Sequence, residues 1–248
     1  MRREKKPALD RIMRAAVQKM ESLHRAGIQT LPRGPGVKTA KISGPKVAGQ
    51  KKLETFVQSA IDPRQVVLDQ VAREVAACTR CAELVRYRTQ TVFGVGNPYA
   101  RLVFCGEAPG FDEDRLGEPF VGRAGELLTD IIVKGMKMRR EDVYILNILR
   151  CRPPDNRNPL PVEAANCREY LDRQLSIIQP EFICCLGAVA AQNLLQIDVP
   201  IGQLRGRVHE YHGIKVVCTY HPAYVLRTPS AKKQVWEDIK LLMAEMGK

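Results

Sequence analysis

Between Leu102 and Gly125 the chain reads LVFCGEAPGFDEDRLGEPFVGRAG. An apolar run ends in Gly-Glu-Ala-Pro-Gly, and Asp112, Glu113 and Asp114 follow at once, with one aromatic, Phe120, just before two glycines. Carboxylates grouped at a strand mouth can hold a water or face a developing positive charge. A glycine-rich turn presents backbone N–H groups that bind a base or a phosphate. Two other apolar runs also end in polar side chains: "VYIL" in Asn147 and "KVVCTY" in His221. Each has an ordinary explanation. A Phe after Pro is normally a core residue, an Asn at a strand end is a turn former, and a lone His is more often structural.

The eight cysteines divide into two groups. Cys105, Cys184, Cys185 and Cys218 sit in strand-like runs and read as small buried hydrophobes. Cys78 and Cys81 form C-x2-C, and Cys151 and Cys167 are fifteen residues apart, all in polar, loop-like sequence. Four thiolates with one close pair can hold zinc or an iron–sulfur cluster. The spacing leaves the two open, and no His stands beside either pair to complete a mixed site.

These residues need a scaffold. With 45% hydrophobic and 27% charged residues, 248 residues can bury a sizeable core. A helix is expected over "PRQVVLDQVAREVAAC". Strands at "RLVFCG", "VYILNIL", "EFICCLG" and "IKVVCTY" alternate with amphipathic stretches at "GRAGELLTDIIVKGM", "PVEAANCREYLDRQLSII", "GAVAAQNLLQ" and "AKKQVWEDIKLLMAEM". That alternation predicts an α/β fold, a mainly parallel sheet with helices on both faces, whose ligands bind beyond the carboxyl ends of the strands. Gly106-Glu107, Asn147, Gly187 and Tyr220-His221 fall at those ends.

The charge is uneven. Residues 1–60 hold fourteen Lys and Arg against four Asp and Glu, so they carry +10 of the chain's +12. They read as a basic helix followed by a Pro/Gly/Lys-rich linker, with residues 61–248 forming the main domain. The extension is either a solvated tail or a binding arm. No apolar run approaches the ~20 residues needed to span a bilayer, and the charged N-terminus lacks the apolar stretch of a secretory signal. A cytoplasmic protein without membrane contact is expected. Arginine is plentiful near the N-terminus but serine is scarce, which fits a mitochondrial transit peptide poorly.

Three segments, "GEAPGFDEDRLGEPFVGRAGELL", "NILRCRPPDNRNP" and "HPAYVLR", resemble the signature segments of the family 4 uracil-DNA glycosylases, and the cysteine spacing is similar to the one that holds a [4Fe–4S] cluster there. The resemblance covers roughly residues 65–246 and leaves out the N-terminal segment. It implies a three-layer α/β/α sandwich around a four-stranded mainly parallel sheet, preceded here by the basic extension. It also implies a monomeric base-excision repair enzyme that flips uracil out of DNA, hydrolyses the N-glycosidic bond and leaves an abasic site. Cys78, Cys81, Cys151 and Cys167 would be the cluster ligands.

The same resemblance assigns roles. Phe120 would stack on the extruded base. The Asn147 amide would match uracil O4 and N3–H, a pattern that cytosine reverses. His221 would donate to uracil O2 as negative charge builds there. Gly106, Glu107 and Ala108 form the turn against the base, and Glu107 and Glu113 are the acids placed to hold the water or face the cationic sugar. In the best-studied glycosylase of the superfamily an Asp orients the water. Ala108 stands at that place here, so the sequence leaves the water-holding group open between the two glutamates. Asp112 and Asp114 read as capping or solvated acids. Val225 or Leu226 would fill the gap left by the flipped base, and Arg123 and Arg227 would meet phosphates.

Other readings are an iron–sulfur electron carrier, a non-catalytic DNA-binding module, and a covalent uracil-DNA binder of the same superfamily. The last uses a histidine in a basic insertion. No such insertion or histidine follows Asn147, which counts against it.

Overall fold

A strand of five apolar residues buried on both faces can exist only in the middle of a layered sheet. β2 (Leu102–Gly106) and β4 (Phe182–Leu186) are both buried along their full length. The computed structural model describes residues 62–247, so the expected basic helix and linker, residues 1–60, lie outside the described residues. The sheet holds six strands in the order β1-β3-β2-β4-β6-β5. Four of them, β3 (Tyr144–Asn147), β2, β4 and β6 (Ile214–Thr219), are parallel. These are the four strands expected from sequence. Two short antiparallel strands edge them: β1 (Val95–Gly96) on β3, and β5 (Val208–Tyr211) on β6.

Strand alternation sorts side chains between two cores. Val103, Cys105, Leu146, Ile183, Cys185, Val216 and Cys218 meet one helix layer. That layer contains α1 (Pro63–Ala76), α5 (Pro161–Ile178), α6 (Ala188–Leu195) and the short α7 (Ile201–Leu204). Leu102, Phe104, Ile145, Cys184, Leu186 and Val217 meet the other. There lie α4 (Arg123–Asp130), which continues into a π turn at Ile131–Gly135, α8 (Pro222–Arg227) and α9 (Lys232–Glu245). The four strand cysteines are fully buried and behave as small apolar residues, as expected. Two further short helices, α2 (Ala82–Tyr87) and α3 (Phe111–Leu116), carry loops at the sheet's carboxyl edge.

Helix ends follow local chemistry. Asp62 caps α1, its carboxylate accepting from the Arg64 N–H at 2.9 Å and the Gln65 N–H at 3.2 Å, with Pro63 in the first turn. At the other end of the fold, buried Asp238 of α9 accepts from Thr219 Oγ1 at 2.6 Å and Arg205 Nε at 3.0 Å. That contact pins the end of β6, two residues before His221. The chain leaves β2 first toward β3 and later toward β4, so the order reverses at β2, where open α/β sheets bind ligands. No helix among the described residues is long and apolar enough to cross a membrane.

Candidate active site

A cleft of about 400 Å³ opens at that reversal, lined by Glu107, Ala108, Glu113, Phe120, Asn147, His221 and Arg227 among others. These residues come from the turns after β2 and β6, the last residue of β3, the helices α3 and α8, and the loop between α3 and α4. Seven positions singled out in the sequence therefore share one wall.

The convergence depends on missing side chains. A methyl group added to Gly106 would strike Asn147 Oδ1 and come 2.6 Å from the Phe120 ring, so only glycine lets ring and amide meet above the end of β2. A methyl on Gly125 would strike the Phe120 carbonyl. Phe120 itself takes a left-handed φ of 56°, a strained choice for an aromatic residue. Arg140 Nη2 holds that turn by donating to the Pro119 and Phe120 carbonyls, each at 3.0 Å.

The Phe120 and His221 rings lie 5.5 Å apart between centroids, tilted by 32°. The flanking wall desolvates the His221 imidazole and, with Arg227 nearby, pushes its pKa down to about 4, against a weaker opposing pull from Glu113. It is therefore neutral at physiological pH. Its Nδ1 accepts from the Ala223 N–H at 3.1 Å, which assigns the proton to Nε2. Asn147 is buried, and its Oδ1 has no hydrogen-bond partner. A buried amide oxygen left unpaired costs ~1–3 kcal/mol.

The two candidate acids differ in their surroundings. Glu113 turns back to accept from the N–H groups of Gly110 (3.1 Å), Val121 (2.9 Å) and Gly122 (3.1 Å). Its carboxylate thereby fastens the Phe120 turn while still lining the cleft. Glu107 lies at the cleft, and burial raises its pKa above the ordinary carboxylate value.

Three further expectations change. Val225 is buried in the core beneath α8, because its side chain faces inward, and cannot serve as a wedge; Leu226 beside it is exposed. Asp114 is not solvated but buried, accepting from the Thr89 N–H at 3.0 Å and the Gln90 N–H at 3.5 Å. Arg123 is exposed at the start of α4 and, unlike Arg227, does not line the cleft.

Arg157 was not singled out in the sequence, and its fork grips Glu163 (2.9 and 2.7 Å) and Glu83 (2.7 Å). This holds the cleft wall of residues 153–158 to α2 and α5. An Arg and a Glu six residues apart around a helix start were the only available signal.

Both of those helices carry cysteines. Cys81 stands just before α2, and Cys167 lies within α5, buried in its amphipathic face and not in a loop. Cys151 and Cys167 form a small apolar cluster with Leu84 and Leu149, and Cys81 and Ala108 pack against it. Ala108 also lines the cleft, so the cysteine cluster backs directly onto the site. Burial pushes the Cys151 thiol up to about 11, against the pull of Arg88. Arg88 Nη1 donates to Cys151 Sγ at 3.0 Å and Asn166 Nδ2 to Cys81 Sγ at 3.4 Å. Among the described residues no three His, Cys, Asp or Glu side chains stand close enough to share one metal ion.

Residues 93–240 match the model of the Uracil DNA glycosylase superfamily. The chain belongs to that superfamily. Within it, similarity runs to the type-4 branch. The Type-4 uracil-DNA glycosylase of Archaeoglobus fulgidus is 46% identical over 189 residues, covering 73% of this chain and 94% of the relative. That of Thermotoga maritima is 44% identical over 181 residues, covering 71% and 93%. The Type-5 uracil-DNA glycosylase of Pyrobaculum aerophilum stands further off at 27% identity, covering 62% and 82%.

Proposed function

We propose that this protein is a uracil-DNA glycosylase that extrudes uracil from DNA, hydrolyses its N-glycosidic bond and leaves an abasic site for repair. The observation that carries the reading is the buried Asn147 Oδ1 without a partner in a cleft walled by Phe120 and a neutral His221. Uracil N3–H is a donor of the right kind for that oxygen, and the Asn147 NH₂ is a donor for uracil O4. Cytosine offers the reverse pattern, so its binding would leave buried groups opposed.

As the bond stretches, the sugar becomes cationic and uracil leaves as an anion. The Nε2–H of His221 donates to O2 where that charge collects, and no proton transfer is needed. Glu107, with Glu113 already engaged, is the carboxylate available to orient the water and face the cationic sugar. Leu226 fills the vacated stack, and Arg227 and Arg123 meet phosphates.

Cys78, Cys81, Cys151 and Cys167 hold a [4Fe–4S] cluster. The donor set supports this, with Cys81, Cys151 and Cys167 gathered in one small cluster behind the cleft. Its contribution is to tie α2, the loop after β3 and α5 together behind the cleft.

The deciding experiment incubates the protein with a uracil-containing oligonucleotide and measures free uracil. Release is expected, with Asn147→Ala and His221→Ala each losing on the order of 10²–10³ in rate. Binding without release would identify a DNA-binding module, and a shifted covalent adduct the covalent variant. Neither release nor binding would leave the electron carrier.

A further inference from the structure

The lining of the cleft runs past Phe120, Asn147 and His221. It includes Pro109 and Gly110 on one wall and Pro153, Asn156 and Asn158 on another. The residue after Gly110 is Phe111, which opens α3, and the residue before Pro153 is Arg152. These two meet at the rim, with the Arg152 guanidinium 5.1 Å from the centre of the Phe111 ring. Two loops that follow different strands are joined there.

Phe111 is 60% exposed, the most open Phe, Tyr or Trp among the described residues. A single exposed apolar residue is ordinary on a protein surface. This one differs in its place and in how firmly it is held. The Gly110 N–H donates to Glu113 Oε2 at 3.1 Å, which fixes the start of α3. Arg152 Nε donates to Asn156 Oδ1 at 2.7 Å, and Asp155 and Asn156 both take a left-handed φ, 52° and 53°. Asn and Asp tolerate that conformation better than other side chains. The Asn156 N–H closes the turn on the Pro153 carbonyl at 3.2 Å. A guanidinium drawn to an aromatic ring favours one orientation of both. Arg64 lies 4.4 Å from the Tyr99 ring in a similar pair, but neither residue lines the cleft or stands next to one that does.

We propose that Phe111, braced by Arg152, is the stacking platform for a base next to the extruded uracil on the same strand. This rests on the glycosylase reading of the cleft. Turning a nucleotide out of the stack leaves its neighbours partly unstacked at the rim. An open aromatic ring recovers that stacking for any base, because every base has a π-face. Leu226 stands on α8, which follows β6, whereas Phe111 and Arg152 follow β2 and β3, on the other side of β4. The platform is therefore separate from the residue that fills the vacated gap.

The test uses the full chain as wild type, Phe111→Leu and Phe111→Tyr. The probe is a single-stranded oligonucleotide holding 2′-fluoro-2′-deoxyuridine, whose glycosidic bond resists cleavage, with 5-iodocytosine on one side of it or the other. Irradiation joins the iodinated base to an aromatic ring stacked on it, and peptide mapping locates the adduct. The wild type should form it at Phe111 from one of the two positions, and Phe111→Tyr should form it at the same place. Phe111→Leu should form none there and bind the oligonucleotide about tenfold more weakly. On the cleavable deoxyuridine strand its KM should rise more than its kcat falls. Free uracil does not reach the rim, so calorimetry should give the Leu variant the wild-type affinity for it.

An adduct only at other residues, or wild-type oligonucleotide affinity in Phe111→Leu, would overturn the platform while uracil release by the wild type leaves the glycosylase reading standing. Weakened binding of free uracil in Phe111→Leu would show that the pocket itself needs the ring, and the proposal falls. A wild-type chain that releases no uracil would overturn the reading of the cleft first, and the platform with it.

Discussion

A neutral imidazole offers its Nε2–H as a donor without the cost of burying a cation. With the His221 pKa near 4, its titration lies outside the working range. The acid limb of the pH–rate profile should therefore belong to Glu107, whose pKa burial raises above the ordinary carboxylate value of 4.5. As pH falls, Glu107 takes up a proton earlier than an exposed glutamate and activity drops. Glu107→Gln should abolish that limb and leave a low, flat rate, whereas His221→Gln should lower the whole profile without moving the limb. A limb that survives in Glu107→Gln would assign it elsewhere. Stability carries a second signature. Below pH 6.5 the unfolded chain protonates this histidine while the folded chain refuses the proton until about 4. Stability therefore falls across that window, by up to about 3 kcal/mol, and urea titrations of His221→Gln should show a shallower loss.

Glu113 also has a structural task at the scale of the element. In sequence it was a second candidate acid. In the fold its three backbone acceptor bonds staple the start of α3 to the start of α4 and set the Phe120 turn between them. Glu113→Ala should lower the melting temperature and raise KM for uracil-DNA more than it lowers kcat, with a cost of roughly 2–4 kcal/mol from charge-assisted bonds. A change in kcat alone would return it to the catalytic group. The four central strands and the long helices were legible because apolar runs and 3.6-residue periodicity extend over enough residues to be read. The edge strands β1 and β5 were not: Val95–Gly96 is too short, and Val208–Tyr211 alternates in a pattern shared by loops. The hairpin at His212-Gly213, with φ of 48° and 80°, was the missed signal for β5. The meeting of Phe120, Asn147 and His221 at one cleft was legible through the motifs around them. Arg157 was not, because a single arginine in sequence does not reveal a buried partner.

Across the whole molecule, the cleft and most of the net charge lie in different parts of the chain. Residues 61–248 carry only +2, so the cleft's domain has little long-range pull on a polyanion, while residues 1–60 carry +10. Exposed Arg123 and Arg227 can place a phosphate once DNA is docked, but two arginines give a shallow salt dependence, since each phosphate neutralised contributes about −0.9 to the slope of log K against log salt on duplex DNA. If the extension contacts the backbone, neutralising Lys38, Lys41, Lys46, Lys51 and Lys52 to Gln in the full chain should flatten that slope by up to about 4. Affinity should fall most at low salt, while the affinity for free uracil and the rate at saturating DNA stay unchanged, because the Asn147, Phe120 and His221 pocket is untouched. The measurement is a fluorescence-anisotropy titration at several salt concentrations. An unchanged slope would remove DNA from the extension's role and leave it as a linker or a protein-docking arm, with the domain finding its uracil by the pocket and a few arginines alone.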